Sequence, residues 1–168
     1  MKKLSQRFNL NNDTAVYAFA VAIALVIASA LLVTYYVALR PVQEKYATIY
    51  LLDTNRKAAD YPEYLVAGVN NTFSVYVEVE NHMGRALENV EVLVKVTKDL
   101  NPKFPVDANI TETFTGSVAE GITWENIATL TLNEPGNYSV YFELWIPEEN
   151  GPPQFSNNFC VLKVQVAV

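Results

Sequence analysis

Two residue types that build metal centres and covalent cross-links are almost missing from this sequence, which has one histidine, His82, and one cysteine, Cys160. A single cysteine excludes a disulfide within the chain, and we expect Cys160 to be a small buried residue of an apolar strand. One imidazole and one thiol are too few for a blue-copper centre or a Cys/His zinc site within a single chain. We expect His82 to lie in a solvated turn rather than in a Ser–His–Asp catalytic site.

Ligand-binding loops with a recognisable pattern are also absent. The six glycines form no phosphate-binding loop, and no DxDxDG calcium loop is present. Four acidic residues of the central segments are typical of solvated strand faces and turns; they are Glu78, Glu80, Glu88 and Glu91. The sequence therefore predicts a protein that is not an enzyme and that has no cofactor and no metal.

Positive charge is scarce and is concentrated before a long apolar run. Lys2, Lys3, Arg7 and the acidic Asp13 give the amino end a formal charge of +2, whereas the whole chain carries −6. Everything after the apolar run therefore carries −8. Because an acidic domain repels phosphate backbones, we expect no nucleic-acid partner.

The apolar run itself predicts a membrane span. No residue from Ala15 to Leu39 is charged, and this run is longer than the ~20 residues that a helix needs to cross a bilayer core. Tyr17 and Tyr35 bracket the run, as tyrosines at the two membrane interfaces do, and Pro41 ends it. We therefore predict a cytoplasmic segment 1–14, a transmembrane helix 15–39, a short tether 40–45 and an outer domain 46–168.

The charges also predict which side of the membrane the domain occupies. The three bases before the run favour a cytoplasmic amino end, although Arg40 and Lys45 on the other side weaken this bias. Three N-glycosylation sequons lie in the outer part, at Asn70, Asn109 and Asn137. The sequon at Asn12 would lie in the cytoplasm and should stay unmodified. The short tether should keep the outer domain close to the bilayer.

Two other interpretations of the apolar run stay open. A cleaved secretory signal has an apolar region of ~7–15 residues followed by small residues at the cut site. Here the small residues ASA lie within the run, and apolar residues continue after them. A pilin has a short basic leader that is cut immediately before the apolar helix, whereas the segment RFNLNNDTAV intervenes here.

Small residues form rows along the predicted helix. Ala20, Ala24 and Ala28 recur every four residues, and we expect an adjacent face to carry Ala18, Ala22 and Ser29. Because small residues let a second helix approach closely in lipid, these six residues are candidates for packing against an integral membrane partner. Alanine is also common in lone anchors.

After Tyr46 the apolar period changes to two, which indicates β-strands. The segments TFSVYVEVE, NVEVLVKVT, NYSVYFELWI and CVLKVQVAV each place alternate apolar residues on one face. Further strands at 47–52, 110–118 and 127–132, with turn signals such as NEPGN between strands, bring the total to about seven. The pattern predicts an all-β fold: an immunoglobulin-like antiparallel β-sandwich with one N-terminal transmembrane helix.

Large apolar residues at outward positions of these strands predict a contact surface. The candidates for this partner surface are Tyr76, Leu93, Tyr141, Trp145 and Phe155. We expect Phe155 to lie in a polar loop, Glu148–Asn158, that presents it to a partner. The alternative is that a loop, or the segment after Tyr46, covers the outward residues.

The stretch from Arg40 to Lys98 resembles a family of predicted archaeal membrane proteins known as domain of unknown function 1616. The likeness rests on a strand ending in YLLD, the segment KAADYPEYLVAGVN and a strand closing in VEVENH. In that family a tyrosine–proline pair and a following glycine introduce the next strand, and Tyr61, Pro62 and Gly68 occupy those places. The resemblance implies an archaeal cell surface, an outer-facing domain and no cofactor. Members often have more than one membrane helix, whereas this sequence has one.

These observations predict a non-catalytic, membrane-anchored accessory subunit of a larger archaeal cell-envelope complex, in contact with lipid and with integral membrane partners. One alternative is a pilin-like or surface-layer filament subunit, which a mature chain starting near Ala15 would favour. Another is a glycan- or peptide-binding adhesion module, which loss of binding on changing Tyr141 or Trp145 would favour.

Overall fold

The computed structural model describes residues 13–38, 44–148 and 151–168. Helix α1 runs Asp13–Ala38, and its 26 residues span about 39 Å at ~1.5 Å per residue. Its Ala15–Ala38 part has a mean hydropathy of 2.7, which fits a membrane span or a signal sequence. The predicted cytoplasmic segment up to residue 12, with its Asn12 sequon, and residues 39–43 around Pro41 lie outside the described residues.

The second unit, Glu44–Val168, is a β-sandwich. Its strands within the described residues are β1 Tyr46–Leu52, β2 Tyr64–Val66, β3 Thr72–His82, β4 Leu87–Thr97, β5 Ile110–Val118, β6 Thr123–Thr131, β7 Gly136–Pro147 and β8 Pro153–Ala167. A three-stranded sheet has the order β1-β3-β6, and a five-stranded sheet has the order β2-β8-β7-β4-β5. The all-β immunoglobulin-like fold is confirmed.

One strand pair departs from the predicted antiparallel arrangement. β2 runs parallel to β8, with Leu65 opposite Val166. β2 is not among the predicted strands, because its three residues are too few for an alternating pattern. The other strand pairs of both sheets are antiparallel.

The core between the sheets follows the alternation in the sequence. Val75, Val77 and Val79 of β3 are at most 2% exposed, and so are the inward residues Val92 and Val94 of β4. Branched side chains of this kind fit the pleated surface of a strand well. Complete burial of one such side chain contributes about 1.5–3 kcal/mol, so a core of this kind can stabilise the fold without a disulfide.

A tyrosine corner closes the turn between β6 and β7. The hydroxyl of Tyr138, near the start of β7, donates to the backbone carbonyl of Glu134 at 3.0 Å. This contact joins a strand to the turn that precedes it and is a feature of many immunoglobulin-like sandwiches. It holds the end of the sandwich that is opposite to Tyr46.

Candidate interaction surfaces

The five residues predicted to form a partner surface do not share one exposed face. Tyr76 lies on the outer face of the three-stranded sheet, where the Arg56 guanidinium is 5.0 Å from its ring centroid. The other four belong to the five-stranded sheet, and Leu93 and Tyr141 are only 8% and 4% exposed. The predicted exposure of these two residues is therefore wrong. The alternative of a covering loop is correct for Tyr141, since the Phe104 ring lies 5.6 Å from its own.

The covering loop, residues 98–109, is fastened to the sheet by a buried ion pair. Lys95 Nζ of β4 donates to Glu143 Oε2 of β7 at 2.9 Å, and the two side chains are 8% and 0% exposed. The Val106 N–H of the loop donates to Glu143 Oε1 at 2.5 Å, and its carbonyl accepts from Lys95 Nζ at 2.8 Å. Trp145 Nε1 also donates to Glu143, at 3.2 Å. These hydrogen bonds offset the desolvation of both charges.

An aromatic cluster extends from the loop across β7 and β8. The Phe104 ring stacks on Phe159 with 3.9 Å between centroids and lies 6.1 Å from Phe155. Phe155 in turn lies 5.9 Å from the half-buried Trp145. Phe104 and Phe159 are about 40% exposed, so the cluster presents an aromatic edge to solvent.

The predicted Glu148–Asn158 loop is shorter than expected, because β8 begins at Pro153. Phe155 is therefore a half-buried strand residue and not the tip of a loop; residues 149 and 150 lie outside the described residues. The register between β7 and β8 shifts in this region, and Asn157 has a positive φ of 62°. Phe155 and Phe159 lie opposite Trp145 and Glu143, which are two residues apart and not four, so the bulge shortens the distance between the two phenylalanines and lets both reach the ring of Phe104.

A groove runs along the outer side of β8 next to the aromatic cluster, and we call it the β8 groove. Its first part, about 310 Å³, is lined by Phe104, Tyr141 and Phe159. Its second part, about 470 Å³, reaches Tyr64 and Asn137. The two parts share the lining residues Leu100, Val161 and Lys163.

The free edge of β1 is capped by side chains. Three carbonyl groups on alternate residues accept hydrogen bonds: Ala47 from Asn158 Nδ2 at 2.9 Å, Ile49 from Cys160 Sγ at 3.3 Å, and Leu51 from the Tyr61 hydroxyl at 2.6 Å. Capped carbonyls cannot accept a strand from another chain, which is how many sandwiches avoid pairing edge to edge. Desolvation raises the pKa of the Tyr61 hydroxyl.

Two residues from the family resemblance have a clear local role here. Tyr61 supplies one of these caps, and Gly68 has a φ of +74°, which a side chain would strain, in the turn between β2 and β3. Cys160 is partly buried and packs against the core. Its burial raises the pKa of the thiol to about 11, so little of the reactive thiolate is present at neutral pH.

The three outer sequons lie at exposed asparagines but differ in their third residue. Asn70 and Asn109 precede β3 and β5, and both of their threonines are exposed. Asn137 lies in β7, and its sequon partner Ser139 is 0% exposed. The folded chain therefore offers complete sequons at Asn70 and Asn109, whereas modification of Asn137 has to precede folding.

His82 lies at the end of a strand and is partly buried, so its predicted position in a solvated turn is wrong. His82 is the last residue of β3, its Nε2 lies 2.7 Å from Glu80 Oε1, and its ring packs on Tyr46 at 4.9 Å. Over residues 13–38, 44–148 and 151–168, no group of three or more His, Cys, Asp and Glu side chains is placed to hold a metal ion.

The small residues of α1 lie on two nearly opposite sides of the helix. One row is Ala20, Ala24 and Ala28, and the other is Ala18, Ala22 and Ser29. At ~100° per residue the centres of the rows are about 140° apart, so the predicted adjacency of the two faces is wrong. The Ser29 hydroxyl donates to the Leu25 carbonyl at 2.8 Å, one turn back.

Comparison with known proteins identifies the fold. No family model and no curated protein matches the chain. The CARDB domain of the PF1109 protein from Pyrococcus furiosus, crystallised in complex with di-metal ions, matches with a TM-score of 0.52 and 15% identity, over 76% of this chain and 93% of that one. Its solution structure matches with a TM-score of 0.50 and 16% identity, over 74% and 97%.

A β-glucosidase from Listeria innocua in complex with glucose also matches, with a TM-score of 0.50 and 15% identity over 74% of this chain. The chain spans only 16% of the length of that enzyme. At these identities the comparisons establish an immunoglobulin-like β-sandwich and no activity.

Proposed function

We propose that this chain is a non-catalytic, membrane-anchored accessory subunit of a larger cell-envelope complex, archaeal as the family resemblance implies. Its amino end is cytoplasmic, and its sandwich stands outside the membrane. Helix α1 carries the proposal: it is apolar on all sides, and its side chains from Val16 to Ala38 are exposed. Such a helix needs lipid or other helices around it, and all its backbone groups except those at the ends bond within the helix.

The two small-residue rows support a position between partners. Because the rows lie on nearly opposite sides of α1, two neighbouring helices can approach closely at the same time. A lone anchor needs no such surfaces. The sandwich contains its own complete core, so it can extend such a complex outside the membrane without help from the helix.

Orientation can be tested by labelling with a membrane-impermeant maleimide. We expect Thr113→Cys, on the exposed edge strand β5, to react in intact cells, and Gln6→Cys to react only after the cells are permeabilised. Background from Cys160 stays low because its thiol pKa is about 11. Labelling of Gln6→Cys alone in intact cells would contradict the proposed topology, and release of the chain by alkaline carbonate would contradict the anchor.

Association can be tested by native mass spectrometry of the complex extracted at natural expression levels. We expect Ala24→Leu and Ala22→Leu, one in each row, to weaken association with a membrane partner. Ala30→Leu is the matched control, because it adds the same bulk between the rows. Detection of the chain alone, without a membrane partner, counts against the accessory-subunit function. So does an Ala30→Leu control that disrupts association as much as Ala24→Leu and Ala22→Leu do.

A further inference from the structure

We propose that the β8 groove is a binding site for a neutral oligosaccharide. Its two parts, about 310 and 470 Å³, fall within the ~300–1,000 Å³ that is usual for small-ligand sites. The site lies on the sandwich and does not depend on whether the helix associates with partners.

The apolar component of the site is aromatic and exposed. Tyr64 is 73% exposed at one end of the groove, and Phe104 and Phe159 are 40% and 39% exposed at the other. The flat apolar face of a pyranose ring packs on such rings in the way that other apolar groups do. Val161, 38% exposed, continues the apolar floor between the two ends.

The polar component of the site is rich in amides. The side chains of Asn101, Asn137 and Gln165 line the groove, and each amide offers both donors and acceptors, as sugar hydroxyls require. The charged lining residues are Glu63 and Lys163, which have opposite signs. The lining therefore has no net charge and fits a neutral ligand better than a polyanion or a basic peptide.

The aromatic end of the groove is already in place without a ligand. The Phe104 ring is held by its stack on Phe159, and two residues further on, Val106 is fastened to the Lys95–Glu143 pair by two hydrogen bonds. A ligand therefore does not have to order the loop when it binds, which removes one of the main costs of binding.

An extended peptide is a poorer fit because it binds by adding a strand to a free backbone edge. Along this part of β8 the Gln165 N–H is already bonded to the Glu63 carbonyl at 2.8 Å. The β1 carbonyls that face β8 are capped by Asn158 and Cys160. At the Tyr64 end of the groove recognition therefore falls to side chains, which suits a sugar.

The oligosaccharide has two possible sources. It is either a separate polysaccharide of the envelope or the N-linked glycan of the chain itself, because Asn137 both lines the groove and begins a sequon. Protein from a host without N-glycosylation tests the first source. Asn137→Gln in the natural host tests the second, since a glycan that fills the groove would block added sugar until Asn137 is changed.

The test is isothermal titration calorimetry of the full chain in lipid nanodiscs. Nanodiscs are used because the sugar headgroups of glycoside detergents would compete with the probes for the groove. The probes are cello-, laminari-, chito- and manno-oligosaccharides. We expect at least one to bind with a Kd between about 10 μM and 1 mM. Tyr64→Ala and Phe159→Ala should each weaken binding at least tenfold, whereas Tyr46→Ala, an exposed tyrosine on the other, three-stranded sheet, should not.

Thermal unfolding of each variant separates loss of the site from loss of the fold, and Gln165→Ala provides an exposed polar variant if Phe159→Ala unfolds. Absence of binding to every probe overturns the proposal. So does binding that Tyr64→Ala and Gln165→Ala leave unchanged, or that Tyr46→Ala weakens equally.

Discussion

The buried pair Lys95–Glu143 offers the sharpest test of how the outer face of the sandwich is built. Replacing Glu143 with alanine removes the acceptor of three hydrogen bonds, from Lys95, Val106 and Trp145. It leaves an ammonium group that is 8% exposed with one remaining acceptor, the Val106 carbonyl. Breaking a buried ion pair by removing one partner lowers the free energy of unfolding by about 3–5 kcal/mol, and we expect a loss of about 4 kcal/mol for Glu143→Ala.

The reverse variant should cost less. In Lys95→Met the Glu143 carboxylate keeps two donors, the Val106 N–H and Trp145 Nε1, so we expect about 3 kcal/mol, the lower end of the same range. The double variant leaves no buried charge, but it also leaves the Val106 backbone groups unpaired, at about 1–3 kcal/mol each. We therefore expect the double variant to lower the free energy of unfolding by about 4 kcal/mol. The two single variants together account for about 7 kcal/mol, so the coupling free energy between Lys95 and Glu143 is about 3 kcal/mol.

The assay is urea unfolding of the full chain followed by tryptophan fluorescence, with Trp145 next to the perturbed pair. Amide hydrogen exchange at Val106 reports separately whether the loop has left the sheet. The control is a cycle on the exposed pair Lys98–Glu134, whose side chains are 55% and 79% exposed, and its coupling should be indistinguishable from zero. Single variants at Lys95 and Glu143 that each lower the free energy of unfolding by under about 1 kcal/mol, with unchanged exchange at Val106, would refute the role of this pair in fastening the loop.

Three further predictions concern the sandwich. Cys160 of the folded chain should react with iodoacetamide at pH 8 at least about 100-fold more slowly than a free thiol, because burial raises its pKa to about 11; a rate similar to that of glutathione would contradict this. Gly116→Ala should lower stability by about 1–3 kcal/mol in urea, because its Cβ would lie 2.6 Å from the Trp124 ring, and Trp124→Leu should relieve the loss. Desolvation raises the pKa of Glu112, whose Oε2 has no hydrogen-bond partner. Ionisation of this carboxylate therefore lowers the free energy of unfolding as the pH rises through the folded-state pKa. Between pH 4 and pH 7, Glu112→Gln should become more stable relative to the natural chain. A difference in stability between the two that does not change with pH would contradict the raised pKa.

The helix and most of the strands could be predicted because their signals are local. An uncharged run from Ala15 onward and strict alternation such as Phe73, Val75, Val77 and Val79 need no knowledge of the rest of the chain. The predicted inward residues of β3 are buried. β2 escaped prediction because a three-residue strand depends on its partner β8 and not on its own pattern.

The candidate surface was harder to predict because exposure depends on what packs over a sheet. Leu93 and Tyr141 do point away from the core, as their alternation indicates, yet both are buried. Phe104 covers Tyr141 from a loop whose sequence has no period. The bulge at Asn157 then brings Phe155 near Phe104 as well as Phe159, and no pattern in the sequence marks that contact.

By itself, the sequence determined the apolar helix, the all-β class and which strand residues form the core, since each follows from the order of apolar and polar residues along a short stretch. Only the tertiary structure decided which outward residues meet solvent, where the β8 groove lies and how the β1 edge is closed. The physical reason is that these features rest on contacts between residues far apart in the chain, such as Lys95 with Glu143 and Asn158 with Ala47. Their formation depends on the docking of loops and sheets and not on local periodicity.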